Sequence, residues 1–254
     1  MSITTPSSRA IGLTRANWRL MLRNRLTLAY GLILPLLPML FLFSGTRGDD
    51  TIAMTSSTTV IFLLMLFPVY YNLLSMFVSR RDELVLKRLR TGEARDSELI
   101  TSMAMPGVLI TLVITLAAVM LGFPLGQQVP TNPILLLAVV LLGAGVFTAL
   151  ALWTAAWTRT AEAAQITSMP VILLASVGPM APIFPESARR FVELTPGSAM
   201  DTLVRLSWFG YDDGSQLDFA ATWGASSGPM LVLAAWVLIG WALARTYMHW
   251  EPRH

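Results

Sequence analysis

Apolar residues run through this chain in long blocks rather than in the short alternations of a soluble fold. Six blocks, at about 26–43, 53–78, 100–121, 133–157, 163–183 and 228–248, each reach the roughly 20 residues that a helix needs to cross a bilayer core. Three polar stretches outside these blocks carry a helical signal of their own. In residues 9–25, Arg15, Arg19 and Arg23 recur every four positions, while Ile11, Trp18 and Leu22 fall largely on another face. That is the pattern of a basic amphipathic helix lying in a headgroup plane. In residues 79–99, Leu84, Leu86 and Leu89 sit among charges, and Asp82 precedes Leu86 and Lys87 at helical spacing. Gly92 supplies a helix stop, and Asp96, Ser97 and Glu98 offer acceptors to the N-terminus of the next block. In residues 184–227, Pro185 heads one short helix through Val192 and Pro196 another through Trp208, with Asp201 and Arg205 at i,i+4 and a polar turn over 211–215. The expected fold is an all-α polytopic membrane protein, a single transmembrane domain over 1–254. It has six transmembrane helices, an N-terminal interfacial helix, a cytoplasmic helix between spans 2 and 3, and a pair of short amphipathic external helices between spans 5 and 6, dipping into the outer leaflet.

Composition agrees with that pattern. Hydrophobic residues make up 54% of the 254 positions and charged residues only 13%, against roughly 25% charged in soluble domains. Charge is also unevenly placed. Six of the 18 Lys and Arg residues (Arg80, Arg81, Lys87, Arg88, Arg90 and Arg95) fall in one loop. Counting loop by loop puts fourteen on one side and only Arg47, Arg189, Arg190 and Arg205 on the other. The positive-inside bias then places both termini and the 79–99 loop in the cytoplasm. The first apolar block contains Pro35 and Pro38 and ends without a small-x-small site, so it is expected to be a retained span rather than a cleaved leader.

The chemistry that is missing narrows the function. Without cysteine there is no disulfide, thiolate metal site or cysteine nucleophile. His249 and His254 lack ligand spacing, so no metal site is expected. The apolar blocks are nearly free of ionisable residues, which argues against an ion-coupled transporter. No Gly-x-x-x-x-Gly-Lys loop occurs, so ATP work would need another subunit. No basic groove with interleaved aromatics suggests a nucleic-acid partner. Thr59, Tyr70, Tyr71, Asn72, Thr167 and Ser168 are polar groups within spans. They serve either as interhelical hydrogen bonds or as the lining of a translocation pathway for amphipathic molecules.

The run Arg81-Asp82-Glu83-Leu84-Val85-Leu86-Lys87-Arg88-Leu89-Arg90-Thr91-Gly92 resembles the first cytoplasmic loop of type-2 ATP-binding-cassette (ABC) exporter permeases, with Leu84 at a common Gly and Glu93 at a common Pro. Phe184-Pro185, then Glu193-Leu194-Thr195-Pro196 and Asp201…Arg205, resembles the family's external segment, with Thr195 where Asn is usual. The resemblance extends over essentially the whole chain. It implies a bacterial plasma-membrane exporter subunit for drugs or natural products, without an ATPase site or cofactor of its own. Two permeases, identical or sister chains, would pair in the lipid bilayer, with ATP and Mg bound by separate ATP-binding subunits and transport by alternating access. Arg81, Asp82, Glu83, Lys87, Arg88, Leu89 and Arg90 would contact the ATP-binding subunit. Arg15, Trp18, Arg19 and Arg23 would form the interfacial helix, and Pro185, Pro196, Asp201 and Arg205 the external helices. A permease for a lipid-linked glycan or other lipid, and a non-transporting scaffold or sensor, are the alternative readings.

Overall fold

Proline-rich stretches break the first and fifth apolar blocks, whereas Pro106 and Pro229 sit inside unbroken helices. The computed structural model describes residues 6–23, 29–44, 50–91, 95–212, 214–248 and 250. Helix α1 is Pro6–Arg23. The first apolar block then forms a broken helix: a wide π turn over Ala29–Ile33, one α turn at Leu34–Leu36, a tight 3-10 turn at Leu37–Leu40 and an α turn at Phe41–Ser44. Pro35 and Pro38 lack the N–H that an α ladder needs, and their rings clash with the carbonyl four residues back. Helix α2 runs over Asp50–Asp82. It absorbs Pro68 by widening Met65–Tyr71 into a π turn. Helix α3 is Val85–Thr91, α4 is Asp96–Gly122 and α5 is Pro133–Trp157. The fifth apolar block is again interrupted, into Ala164–Thr167, Met169–Ser176 and a 3-10 stretch at Gly178–Ile183. Helices α6 (Glu186–Glu193) and α7 (Pro196–Val204) follow, and a π turn at Arg205–Phe209 extends α7. A two-residue-per-strand hairpin pairs β1 (Tyr211–Asp212) with β2 (Ser215–Gln216), and α8 spans Phe219–Tyr247.

Among the described residues, α2, α4, α5 and α8 are long and apolar enough to cross a membrane. The first and fifth blocks are helical but broken. Their positions agree with the sequence, whereas continuous helices through them do not form. A second difference concerns α8, which starts at Phe219 rather than near 228. The Asp218 carboxylate accepts the Ala221 N–H at 2.7 Å and caps it. Residues 219–227 therefore belong to the helix and not to the loop before it. Helix α7 also departs from expectation. It is drawn into the bundle against α5, α8 and the fifth block, whereas α6 stays an exposed amphipathic helix.

Helix α5 is the axis on which the others lean. Asn132 starts it, accepting the Leu135 N–H at 2.9 Å while its amide donates to Thr222 Oγ1 at 3.0 Å, which ties the beginning of α8 to the same point. Within a bilayer, apolar burial alone gives helices little reason to associate, so close backbone approach has to do it. A Cβ on Gly240 of α8 would stand 2.9 Å from that of Ala149. Between α4 and α2 the fit is tighter still: a Cβ on Gly107 would lie 2.0 Å from the Pro68 carbonyl oxygen. The share buried in each helix's most apolar stretch, 67% for α5 and 61% for α2 against 33% for α4 and 17% for α8, makes the last two the outer pair.

Helix α1 lies along the start of α4. Asn17 is its anchor, donating to the Ser102 carbonyl at 2.7 Å and accepting from Arg80 at 2.5 Å. Arg15, Arg19 and Arg23 are exposed, as the four-residue spacing predicts. The buried edge consists of Asn17 and Met21 with Trp18 half-buried. Ile11, 69% exposed, does not belong to it, and the Leu22 side chain lies outside the described residues.

Candidate functional site

The charged corner between α2 and α3 is built on one buried residue at each side of a two-residue turn. Glu83 N–H bonds to the Ser79 carbonyl at 3.0 Å and Leu84 N–H to the Arg81 carbonyl at 3.0 Å, which closes α2. Leu84 then adopts the left-handed region with φ of 59°, a conformation that costs a residue with a Cβ about 1–2 kcal/mol. Glycine, which the resemblance drawn from the sequence has at this position, adopts that conformation without the cost. Helix α3 begins at once, with Leu86 fully buried as its anchor and Leu89 half-buried. It ends at Thr91; Gly92 lies outside the described residues.

Of the seven residues of this corner that are candidates for contact with another subunit, Leu89 is the half-buried one, and the six charged ones divide into three groups. Arg81 is fully buried. Its guanidinium donates to the carbonyls of Ala155 at 2.8 Å, Thr158 at 2.5 Å and Arg159 at 3.4 Å, with Asp82 at 3.6 Å. Those carbonyls end α5, where the aligned peptide dipoles leave partial negative charge. Arg81 thus joins α2 to α5 inside the chain and offers no surface to a partner. Arg90 is held by Asp96 at 2.9 Å and lies 4.8 Å from the centre of the Trp250 ring, which fixes the C-terminal end of α3 to the start of α4. Asp82, Glu83, Lys87 and Arg88 are exposed and form the charged outer edge.

Beside this corner a cavity of about 650 Å³ opens between α2, the end of α1 and the fifth block. Its polar wall is one face of α2: Tyr71, Asn72, Ser75, Ser79, Arg80 and Glu83, at the three- and four-residue spacing of a helix. Gln165 and Ser168 face them from the fifth block, and Leu20, Met21, Phe67 and Ile172 supply apolar surface. The wall runs into the Glu83–Leu84 turn, so the cavity and α3 are consecutive parts of one chain segment.

The six polar positions expected along a pathway are not brought together. Tyr71, Asn72 and Ser168 line this cavity. Tyr70 is fully buried on the opposite side of α2, its hydroxyl 3.1 Å from Thr154 Oγ1 and its ring edge-on to Phe147 at 6.4 Å. Thr167 shares a 2.7 Å hydrogen bond with Thr158. Thr59 bonds back to the Thr55 carbonyl at 2.7 Å and lines a separate pocket with Asp201, whose carboxylate meets Arg205 at 3.0 Å. That pocket measures about 130 Å³, well below the several hundred Å³ of a drug-sized site. Pro185 and Pro196 stand at the starts of α6 and α7. Sequence reading missed Ser79, Arg80, Glu83 and Gln165 as cavity residues. For Ser79, Arg80 and Glu83 the signal was present in their helical register with Asn72 and Ser75, whereas Gln165 stands on a separate helix. Among the described residues no cluster of three or more His, Asp or Glu gathers to hold a metal.

The sequence pattern of the ABC-2 type transporter family matches residues 10–178, from within α1 into the fifth block. This chain belongs to that family. It is therefore a multi-pass membrane protein, the permease component of an ABC transporter, of a kind that generally lacks an ATPase site and typically works with an ATPase subunit. Among curated proteins none matches the sequence. The matched region contains the α2–α3 corner and all the residues that line the cavity, so both are parts of a transport permease.

Proposed function

We propose that this permease exports small amphipathic or hydrophobic compounds, such as a drug or natural product, from a bacterial cytoplasm, by alternating access driven by a separate ATP-binding subunit. One observation carries the reading: the wall of the 650 Å³ cavity and the exposed edge of α3 are separated by a single turn. A push on α3 is transmitted to the polar face of α2 without crossing a flexible linker, because Arg81 and Leu86 anchor both sides of the turn. In this reading Asp82, Glu83, Lys87 and Arg88 meet the ATP-binding subunit, and Arg81 and Arg90 keep the corner stiff. The broken first and fifth blocks complete six crossings with both termini cytoplasmic, and a second permease copy or sister chain closes the open side of the cavity. A volume in the range of small-molecule sites, with apolar walls and a few polar groups, favours a small compound over a polymer.

The test is charge reversal at the two exposed cations, Lys87→Glu with Arg88→Glu, leaving Arg81 and Arg90 in place. The variant should insert and fold normally, yet lose substrate-stimulated ATP hydrolysis by its partner and lose export. Full retention of both activities would show that α3 is not the contact.

A further inference from the structure

A second large cavity lies on the outer side of the bundle, away from the polar wall of α2. Helices α4 and α8 both lean on α5 but scarcely on each other, which leaves a cleft of about 740 Å³ floored by Leu152 of α5. It sits at the α3 end of the bundle, closed at the rim by Trp250, the ring on which Arg90 rests. Its two walls come from the outermost helices.

The cleft is graded along its length. On α8, Leu238, Trp241 and Arg245 follow one another at spacings of three and four, on one face. At 1.5 Å per residue they run over roughly 10 Å from apolar depth to a cation at the helix end. Leu238 is 72% exposed, an apolar side chain free to lie against an acyl chain. Opposite Arg245, Ser97 and Thr101 of α4 present hydroxyls at the same end. Two charges line the cleft among the described residues, Arg245 and Asp96. Asp96 is already matched by Arg90 at 2.9 Å, so the surplus charge is the positive one of Arg245. An apolar slot, an indole at mid-depth, then hydroxyls and a guanidinium at the rim reproduce in order the acyl chain, glycerol and phosphate of a phospholipid. Basic pockets between transmembrane helices take anionic headgroups for this reason.

We propose that the α4–α8 cleft is a binding site for an anionic phospholipid, with Arg245 on its phosphate, Ser97 and Thr101 on its headgroup and Leu238 against its acyl chain. Because Arg90 bridges Asp96 and the Trp250 ring, a lipid in this cleft touches the elements that hold the end of α3.

Native mass spectrometry of the full-length chain, after exchange from mixed bilayers of phosphatidylglycerol and phosphatidylcholine, tests the site. Wild-type protein should retain phosphatidylglycerol preferentially, and Arg245→Gln should reduce that preference about fivefold. Leu238→Trp, which fills the slot, should lower retention of both lipids. Equal retention of the two lipids by wild type, or a preference unchanged in Arg245→Gln, would overturn the proposal. Thermal stabilisation by inorganic phosphate alone, equal to that by phosphatidylglycerol, would assign the cleft to a free anion instead and also overturn it. Loss of a dimer in Leu238→Trp with lipid retention intact would give the cleft to a second copy of the chain and do the same. Should Arg245→Gln fail to fold, Arg245→Lys decides: it keeps the cation, so the preference must survive in it while Leu238→Trp loses the lipid.

Discussion

Helix α1 and the α2–α3 corner are both arginine-rich, and they use arginine in different ways. In α1 the cations Arg15, Arg19 and Arg23 all point outward, and the contact with the bundle is made by Asn17, Trp18 and Met21. At the corner, neighbouring cations have unrelated tasks: Arg80 lines a cavity, Arg81 caps the end of α5 from within the core, Lys87 and Arg88 face outward, and Arg90 braces α4. Density of charge along a chain therefore says little about its use. What decides it is whether a guanidinium meets carbonyls, a carboxylate or solvent.

The largest expected effect breaks this comparison at Arg81. Arg81→Met keeps the bulk but leaves the α5 carbonyls without their donor in a buried place, at a cost of roughly 3 kcal/mol or more. Arg19→Gln in α1 should stay within about 0.5 kcal/mol. Thermal unfolding of the two variants in one detergent checks the contrast, and equal shifts would show that Arg81 is not structural. Asn17 comes next, because it is where the two regions touch. Asn17→Leu removes its bonds to Ser102 and Arg80 and should cost roughly 1–2 kcal/mol. It should also raise hydrogen exchange in α1 well above that in α3; exchange unchanged in α1 would mean that other contacts anchor it. A smaller effect of opposite sign is expected at Leu84, where φ is 59°. Leu84→Gly relieves the left-handed strain, and against the entropy glycine adds to the unfolded chain the net gain is about 0.5 kcal/mol. A loss of stability there would mean that the half-exposed leucine packs more than it strains. Smallest of all is the stability change in the Lys87→Glu, Arg88→Glu variant, within about 0.5 kcal/mol. Its coupling defect should therefore appear without unfolding.

Much of the scaffold was legible in one dimension. The six apolar blocks, the basic spacing of α1, the proline starts of α6 and α7 and the Asp96–Glu98 acceptors at the head of α4 all correspond to elements. The start of α8 was hidden because Gly224, Ser226, Ser227, Gly228 and Pro229 read as a loop, while the cap at Asp218 lay upstream. The candidate pathway was only half legible. Tyr70, Tyr71 and Asn72 are adjacent in sequence and each carries a polar group, yet Tyr70 packs on Thr154 and Phe147 while Tyr71 and Asn72 line the cavity. An extra residue in the π turn around Pro68 rotates everything after it by roughly 100°. The helical phase upstream of Pro68 therefore cannot be carried through to Tyr70.

By itself the sequence determined that this is an all-α, multi-pass membrane protein, because hydrophobic length and charge spacing are properties of the chain as a string. It also determined the family, because the order of those segments and the Lys87-Arg88-Leu89-Arg90 run persist without reference to contacts. Only the tertiary structure decided which arginines are structural and which are free to meet a partner, which tyrosine faces a cavity, and that α4 and α8 part to leave a cleft. Those outcomes depend on the phase of one helix against another, and on glycine-scale fits such as Gly107 on Pro68 that no local pattern encodes.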